Sequence, residues 1–262
     1  MAGGQIQQRR GRTQMNADQS ATIEYRQLFT IPEFTDVLHL QKAIWGFADI
    51  ELLPLRFLVV CSKVGGHVFG AYDAGRMIGF CFAIPGVKPS GRAYLHSHML
   101  GVLPEYHNAG IGRRLKLMQR AEALSRGIAL MEWTFDPLEL KNAFFNIERL
   151  GAIVRRYHEN QYGMTHSPLH GGLPTDRCIA EWWLDSPRVR RVIAGERLDH
   201  DPAERVAYPA DIARIRTEDR TCARQIQRTN GRKLQDAFAH GLAATGFERG
   251  TTHGTYLLEP YE

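Results

Sequence analysis

Hydrophobic and polar residues alternate in several short stretches of the chain, and this alternation predicts β-strands. Two apolar runs, residues 67–72 and 76–84, are joined by Asp73-Ala74-Gly75, a sequence typical of a hairpin turn. The second run is expected to end at Pro85-Gly86. The predicted strands before residue 185 lie at residues 22–28, 67–72, 76–84, 93–103, 128–135, 152–162 and 178–184.

Between these strands, apolar residues recur every three or four positions, which is the spacing of an amphipathic helix. The stripe formed by Ile111, Leu115, Met118 and Leu124 is one example. Helices are predicted at residues 32–45, 54–63, 111–125 and 138–150. The resulting order, β-α-α-β-β-β-α-β-α-β-β, predicts an α/β (α+β) fold.

The pattern changes at Asp185-Ser186-Pro187, which is expected to be a domain boundary followed by a linker. Beyond it we expect a helix over residues 211–242, bent at Asn230-Gly231, and strands at 205–208, 244–249 and 255–258. The predicted organisation is a disordered tail at residues 1–20, a main domain at 21–185 and an α+β extension at 186–262 packed on that domain.

Composition narrows the class of protein. The 262 residues are 44% hydrophobic, enough for a sizeable core, and the net charge of +5 favours anionic partners only mildly. We therefore do not expect nucleic-acid binding.

No apolar run is long enough to span a bilayer and no signal-peptide core is present, so the predicted location is the cytoplasm without membrane contact. The scattered cysteines predict neither disulfides nor a zinc site.

A glycine loop joins the strand at residues 93–103 to the helix at 111–125. Gly110 and Gly112 allow close approach to the backbone, and the first N–H groups of the helix have no partners inside it. Such a loop binds anions, above all phosphate. Arg113 and Arg114 are expected to add positive charge at the same end of the helix.

With these elements the chain resembles the GNAT superfamily, the acyl-CoA N-acyltransferases. The resemblance rests on the order of elements over about residues 22–184 and on His107-Asn108-Ala109-Gly110-Ile111-Gly112, which corresponds to the family signature [Gln/Arg]-x-x-Gly-x-[Gly/Ala]. It implies a mixed, splayed central sheet flanked by helices. The similarity is greatest to a branch marked by Trp133-Thr134-Phe135-Asp136-Pro137, Asn142-Ala143, Tyr162-Gly163-Met164 and Asp176-Arg177.

The resemblance implies how an acyl-CoA, most simply acetyl-CoA, would bind. The loop that begins at His107 would hold the pyrophosphate, and the end of the preceding strand would pair with the pantetheine arm. Asn142 on the next helix would lie near that arm. The implied cofactor-binding residues are Leu100, Gly101, Val102, His107, Asn108, Ala109, Gly110, Ile111, Gly112, Arg113 and Asn142.

The reaction needs a general base for the attacking amine. His96 and His98 alternate on one strand and share a face, and His98 is the first candidate because it is nearer the thioester end. The alternative is a hydrogen-bonded histidine of the core. Glu132 is the second candidate, since a carboxylate is rarely buried in a strand unless it has a function or a partner. A salt bridge with an arginine explains its position equally well.

The family commonly protonates the leaving thiolate with a tyrosine four residues before the glycine that ends a helix, where this chain has Ile147. Tyr157 and Tyr162 are candidates to replace it, although either tyrosine could simply pack. His166 and His170 could be combined with the strand histidines, but no carboxylate or thiolate completes a metal site, so no metal is expected.

We therefore expect an acyl-CoA-dependent N-acyltransferase whose acceptor, a small-molecule or peptide amine, attacks the thioester directly. A non-catalytic acyl-CoA sensor or partner-binding module is the alternative, motivated by Ile147. Arginines at every fourth position from Arg216 to Arg232 form either a binding ridge or a solvated face. The extension could cover the acceptor site or form a homodimer interface.

Overall fold

The computed structural model describes residues 23–164 and 171–261, and these residues form one ten-stranded sheet. In chain order the strands are β1 (Glu24–Gln27), β2 (His67–Asp73), β3 (Arg76–Val87), β4 (Ala93–Val102), β5 (Leu130–Phe135), β6 (Ile153–His158), β7 (Arg177–Trp183), β8 (Glu204–Pro209), β9 (Leu242–Arg249) and β10 (His253–Pro260). Their order across the sheet is β1-β2-β3-β4-β5-β7-β6-β9-β10-β8. The predicted tail at residues 1–20 lies outside the described residues.

Helices cover both faces of this sheet. They are α1 (Ile31–Trp45), α2 (Leu55–Lys63), α3 (Ile111–Ser125), α4 (Leu140–Phe144), α5 (Pro187–Ile193), α6 (Ile212–Glu218) and α7 (Arg220–Ala239). Helices α1 and α2 bury Phe34, Val37 and Leu58 on one face, whereas α3 buries Ile111 and Leu115 on the other. None of the described helices combines the length and the apolar composition that crossing a bilayer requires.

The sheet opens between β4 and β5. These parallel strands pair only at Leu95 with Met131 and at His96 with Glu132, and they diverge beyond that point. On its other side β4 stays paired with β3 up to Val102, although the register shifts once, which leaves His98 as an extra residue in a bulge. One edge of β4 is therefore open next to β5. The mixed, splayed α/β sheet that the sequence predicts is confirmed.

The C-terminal residues continue the same sheet. Strand β6 pairs with β9 at Val154 and Ala244, and β9, β10 and β8 follow in antiparallel order. Tyr208 and Tyr256 of this part belong to one hydrophobic cluster with Trp182 of β7. The extension thus shares a core with the residues that precede it.

Two predicted boundaries of the strands and linkers are wrong. Strand β3 continues through Pro85 to Val87. Strand β2 begins at His67, opposite Ala83, so Pro85 has a paired strand, β4, on one side only, and a proline is tolerated there. The linker expected after residue 185 is instead a helix, α5, whose first turn is capped by Ser186: its Oγ accepts a hydrogen bond from Val189 N over 3.3 Å.

The helix predicted at residues 211–242 is two helices. Asp219 has non-helical backbone angles and caps α7, since its Oδ1 accepts a hydrogen bond from Cys222 N over 2.9 Å. Asn230 and Gly231 lie within the continuous α7, where Asn230 Nδ2 donates to the carbonyl oxygen of Ala207 over 2.8 Å. The break therefore falls at Asp219, not at the Asn-Gly pair.

Candidate active site

A cavity of about 460 Å³ fills the gap between the diverging strands β4 and β5. Helices α3 and α4 and the segment after α1 contribute to its walls. Of the predicted site residues it brings together His98 and Leu100 of β4, Asn142 of α4 and Tyr162. The chain thus forms a cleft where the resemblance implies that the acyl donor binds.

The glycine loop stands open at the end of β4. Asn108 and Gly110 have positive φ angles of 65° and 79°, and a Cβ atom added to Gly110 would meet no heavy atom within 4 Å. The first N–H in the helix with an intrahelical acceptor is that of Arg114, which donates to the carbonyl oxygen of Gly110 over 3.0 Å. The preceding N–H groups of α3 therefore have no acceptor within the helix, which fits a bound pyrophosphate.

Three side chains of the loop and of the first turn of α3 contact protein groups. The Nε2–H of His107 donates to the carbonyl oxygen of Val102 over 2.9 Å, which ties the loop to the end of β4. Arg113 Nη2 donates to the carbonyl oxygen of Ile193 over 2.9 Å, and Arg114 lies over the ring of Tyr25. The added positive charge predicted at the loop is thus directed elsewhere, and the backbone remains the anion-binding group.

His98 lines the cleft because the bulge in β4 places its side chain there. Its ring centroid lies 5.9 Å from that of Phe82 and 5.9 Å from that of His96. The surrounding protein desolvates the imidazolium, so the pKa of His98 is lowered and the ring is neutral at neutral pH. A neutral imidazole open to the cleft can accept a proton.

The two candidate tyrosines lie in different places. Tyr162 lines the cleft, with its hydroxyl 2.9 Å from Thr134 Oγ1 and its ring 5.3 Å from the guanidinium carbon of Arg177. Tyr157 is buried, and its hydroxyl donates to Asp176 Oδ2 over 2.7 Å beside α7. The structure does not bring Tyr157 into the cleft. Desolvation raises the pKa of Tyr157 far above the usual value, which also disfavours proton transfer.

Glu132 does not line the cleft either. The carboxylate is buried and accepts hydrogen bonds from Lys88 Nζ, over 2.6 Å, and from Arg156. Arg156 Nε and Arg155 also bind Glu181 on the neighbouring strand β7. The carboxylate thus belongs to an ion-pair network, as the structural alternative supposes.

The last turn of the predicted helix 138–150 is a π-turn, which spans Phe145–Arg149 and changes which side chains face the cleft. Ile147, which aligns with the family's tyrosine, is fully buried in the core. Asn146 faces the cavity instead, and its Oδ1 accepts a hydrogen bond from Trp133 Nε1 over 3.2 Å. This turn supplies an amide to the cleft and no group that protonates a thiolate.

Sequence reasoning missed Lys116. It lies on the apolar side of α3 and is only 2% exposed, yet it lines the cleft. Its Nζ donates to Ser97 Oγ over 2.7 Å and lies 3.6 Å from the ring centroid of Trp133. Burial lowers the pKa of Lys116 to about 7. The sequence signal that could have indicated its burial is its position one residue after Leu115, next to the apolar stripe of the helix.

Sequence reasoning also missed the link between the extension and the cleft. Asp136 and Glu139 line the cavity, and Arg216 of α6 binds both, with Nη2 2.7 Å from Glu139 Oε1 and Nη1 3.5 Å from Asp136 Oδ2. Burial raises the pKa of Asp136 to about 6 despite the nearby arginines. Arg216 is only 13% exposed, so the predicted arginine ridge is not one solvated face.

His166 and His170 lie outside the described residues. Within residues 23–164 and 171–261, no group of three or more His, Cys, Asp or Glu side chains is placed to hold a metal ion.

Comparison with known protein families gives a match for the segment that forms the cleft. Residues 64–151 match the family model of the acetyltransferase (GNAT) domain, a segment that includes the glycine loop and both strands of the cleft. No curated protein matches the sequence.

Solved structures of proteins assigned as acetyltransferases share the fold. One is a protein from Salmonella typhimurium assigned as an acetyltransferase and solved with acetyl-CoA, which is 16% identical with a TM-score of 0.51 over 63% of this chain and 95% of that chain. A protein with the same assignment from Acinetobacter baylyi is 17% identical, with a TM-score of 0.51 over 63% and 96% of the two chains. A GNAT-family protein from Desulfovibrio desulfuricans is 16% identical, with a TM-score of 0.50 over 62% and 99%.

The splayed sheet and the glycine loop define a GNAT-like fold. The chain thus contains a segment, residues 64–151, that matches the acetyltransferase (GNAT) domain, and residues 152–261 extend beyond that segment.

Proposed function

We propose that the protein transfers an acyl group from an acyl-CoA to an amine. The observation that carries this proposal is the open edge of β4 beside β5, which leads from the glycine loop into the cleft. The backbone N–H groups at the start of α3 would bind the pyrophosphate. The free edge of β4 would pair with the amides of the pantetheine arm, which extends toward His98.

The chemistry requires few side chains. His98, neutral at neutral pH, would take the proton from the ammonium of the acceptor, and the freed amine would attack the thioester carbon. A backbone N–H on the open edge of β4 would stabilise the oxyanion. When the C–S bond breaks, the attacking nitrogen loses its second proton to solvent, and the CoA thiolate takes a proton from water or from Tyr162, which lines the cleft and regains its proton from solvent. No covalent enzyme intermediate is needed.

The acceptor is proposed to be a small-molecule or peptide amine. It would enter the cleft beside the aromatic side chains that line it, Trp45 at the end of α1, Phe47 and Tyr162. Acceptors of both kinds would fit an open, partly aromatic entrance. The structure of the Salmonella protein with acetyl-CoA supports the same type of donor here.

Calorimetric titration of acetyl-CoA tests the donor site. Gly110→Glu would place a carboxylate where the pyrophosphate binds, so we expect at least a tenfold loss of affinity. The matched control is Gly127→Glu at the other end of α3, since Gly127 also has a positive φ (73°) and open space at the Cβ position. Unchanged affinity in Gly110→Glu, or an equal loss in both variants, contradicts the proposal.

A non-catalytic acyl-CoA-binding module remains the second candidate, and one observation favours it. The π-turn after α4 buries Ile147 and gives the cleft Asn146, so this helix supplies no acid for the thiolate. Release of free CoA thiol in the presence of a panel of amines would exclude this candidate. Donor binding without any thiol release would exclude catalysis instead.

A further inference from the structure

The floor of the cleft holds a buried cation without a counter-ion. The Nζ of Lys116 contacts two uncharged groups, the hydroxyl of Ser97 and the ring of Trp133. Within the described parts of the chain, no carboxylate pairs with it. Burial of an unpaired ammonium is unfavourable, so a bound anion that pairs with Lys116 would offset the cost of burying its charge.

The groups around Lys116 do not supply the missing negative charge. Ser97 is already engaged, because its hydroxyl donates to Gln119 Oε1 over 2.9 Å, and the buried Nε2 of Gln119 has no partner among the described residues. The charged and titratable groups of the surrounding elements are Cys81, His96, His98, Asp136, Glu139, Tyr162 and Arg177. Both carboxylates of this set are bound by Arg216.

Lys116 lies at the end of the cleft that is remote from the glycine loop. Ser97, its hydrogen-bond partner, is separated from Val102 at the loop end of β4 by about 16 Å, at about 3.3 Å per residue. A donor whose pyrophosphate is bound by the loop and whose pantetheine follows β4 would place its acyl group toward Ser97 and Lys116.

We propose that Lys116 binds a carboxylate at the far end of the acyl group, so that the preferred donor is the CoA thioester of a dicarboxylic acid. This inference rests on the proposed function and replaces its simplest donor, acetyl-CoA. The carboxylate supplies the missing counter-ion, and Nζ keeps its hydrogen bond to Ser97 while it donates another to the ligand. The transfer itself is unchanged: the amine displaces CoA, and the distal carboxylate takes no part in bond breaking.

Binding of such a donor must also move a proton. Because burial lowers the pKa of Lys116 to about 7, most of the population is neutral at pH 8. A bound carboxylate favours the ammonium and raises that pKa, so the complex takes up a proton. A donor with an uncharged acyl group has no such effect on Lys116.

The experiment compares acetyl-CoA, malonyl-CoA and succinyl-CoA by calorimetry at pH 8, in two buffers that differ in their enthalpy of ionisation. We expect at least one of the two carboxylate-bearing thioesters to bind about tenfold or more tightly than acetyl-CoA, with uptake of up to about one proton. In Lys116→Met, which keeps an unbranched side chain one atom shorter and without charge, both the preference and the proton uptake should disappear. The matched control is Lys233→Met on the exposed side of α7, which should change neither.

The outcomes separate this inference from the proposed function. Equal affinities of all three thioesters in the wild type, or an equal loss for all three in Lys116→Met, would overturn the inference and point to contact with the pantetheine arm. Failure of every thioester to bind would overturn both proposals. Lys116→Met is expected to fold, because methionine replaces a buried unpaired charge with an apolar group of similar volume; its melting temperature checks this.

Discussion

Individual residues of the cleft differ in chemistry because they differ in burial and in partners. His98 and Glu132 lie on adjacent strands, yet the histidine is open to the cleft and the carboxylate is held by Lys88 and Arg156. Lys116 is a long cationic side chain on the buried face of α3, which otherwise carries uncharged groups. Residue type alone therefore does not determine which group is available for proton transfer or for binding.

His98→Gln should lower the rate of acyl transfer about 100-fold or more, since it removes the proposed base. Because burial lowers the pKa of His98 below its ordinary 6.5, the base is present at neutral pH, and the wild-type rate should fall only as the pH drops through that lowered pKa. Thiol release measured between pH 5 and pH 8 with a reactive amine tests this. The control is His96→Gln, whose side chain does not line the cavity. An undiminished rate in His98→Gln would refute the role.

Elements determine which side chains reach the cleft. The bulge in β4 places His98 there, and the π-turn after α4 rotates Ile147 into the core and Asn146 into the cavity. The bulge and the π-turn each insert one residue into a regular element, so the side chains that follow point to a different face of the strand or helix. A sequence alignment at constant spacing does not detect such an insertion.

Ile147→Tyr should not restore a thiolate acid. Ile147 is 0% exposed, so the larger ring overpacks the core, and we expect a loss of about 1–3 kcal/mol in the free energy of unfolding and no gain in transfer rate. Urea unfolding measures the loss. Ile147→Leu, which conserves the volume, should cost less than about 1.5 kcal/mol. A stable Ile147→Tyr with a faster rate would show that this position does face the thioester.

The whole molecule is held together across the boundary that the sequence predicts at residue 185. Arg216 reaches from α6 to Asp136 and Glu139 at the cleft, and Arg113 of α3 binds the end of α5. The extension also contributes Tyr208 and Tyr256 to the same core as Trp182. The cleft wall therefore depends on residues that follow the matched acetyltransferase segment.

Arg216→Met should destabilise the protein by about 2 kcal/mol or more, because it removes the arginine that pairs with the buried carboxylate of Asp136. The acyl-CoA affinity should also fall, since both acidic side chains line the cleft. Arg214→Met is the matched control: this neighbouring arginine forms exposed pairs with Asp211 and Glu218 and should cost less than about 1 kcal/mol. Equal melting temperatures for the two variants would contradict this role of Arg216.

The sequence predicts the elements of residues 22–184 well because apolar periodicity and turn residues are local signals. The order of elements along the chain and the glycine loop follow from these signals, whereas the opening beside β4 is implied by the family resemblance. The break at Asp219 is not predictable in this way, since it replaces helical bonds with a single cap in an otherwise helical pattern. The partners of Glu132, Arg216 and Lys116 come from distant segments, so no local pattern reports them.

The pairing of β6 with β9 has a consequence for assembly. Without β9, β6 would be an edge strand, with unpaired backbone groups open to the same strand of another copy. Strand β9 is tethered to β6 by the chain itself, and a tethered partner acts at an effective concentration on the order of millimolar. A second molecule at cellular concentrations competes poorly against it, so the C-terminal residues act as a built-in competitor of dimerisation through β6 and move that edge of the sheet to β8.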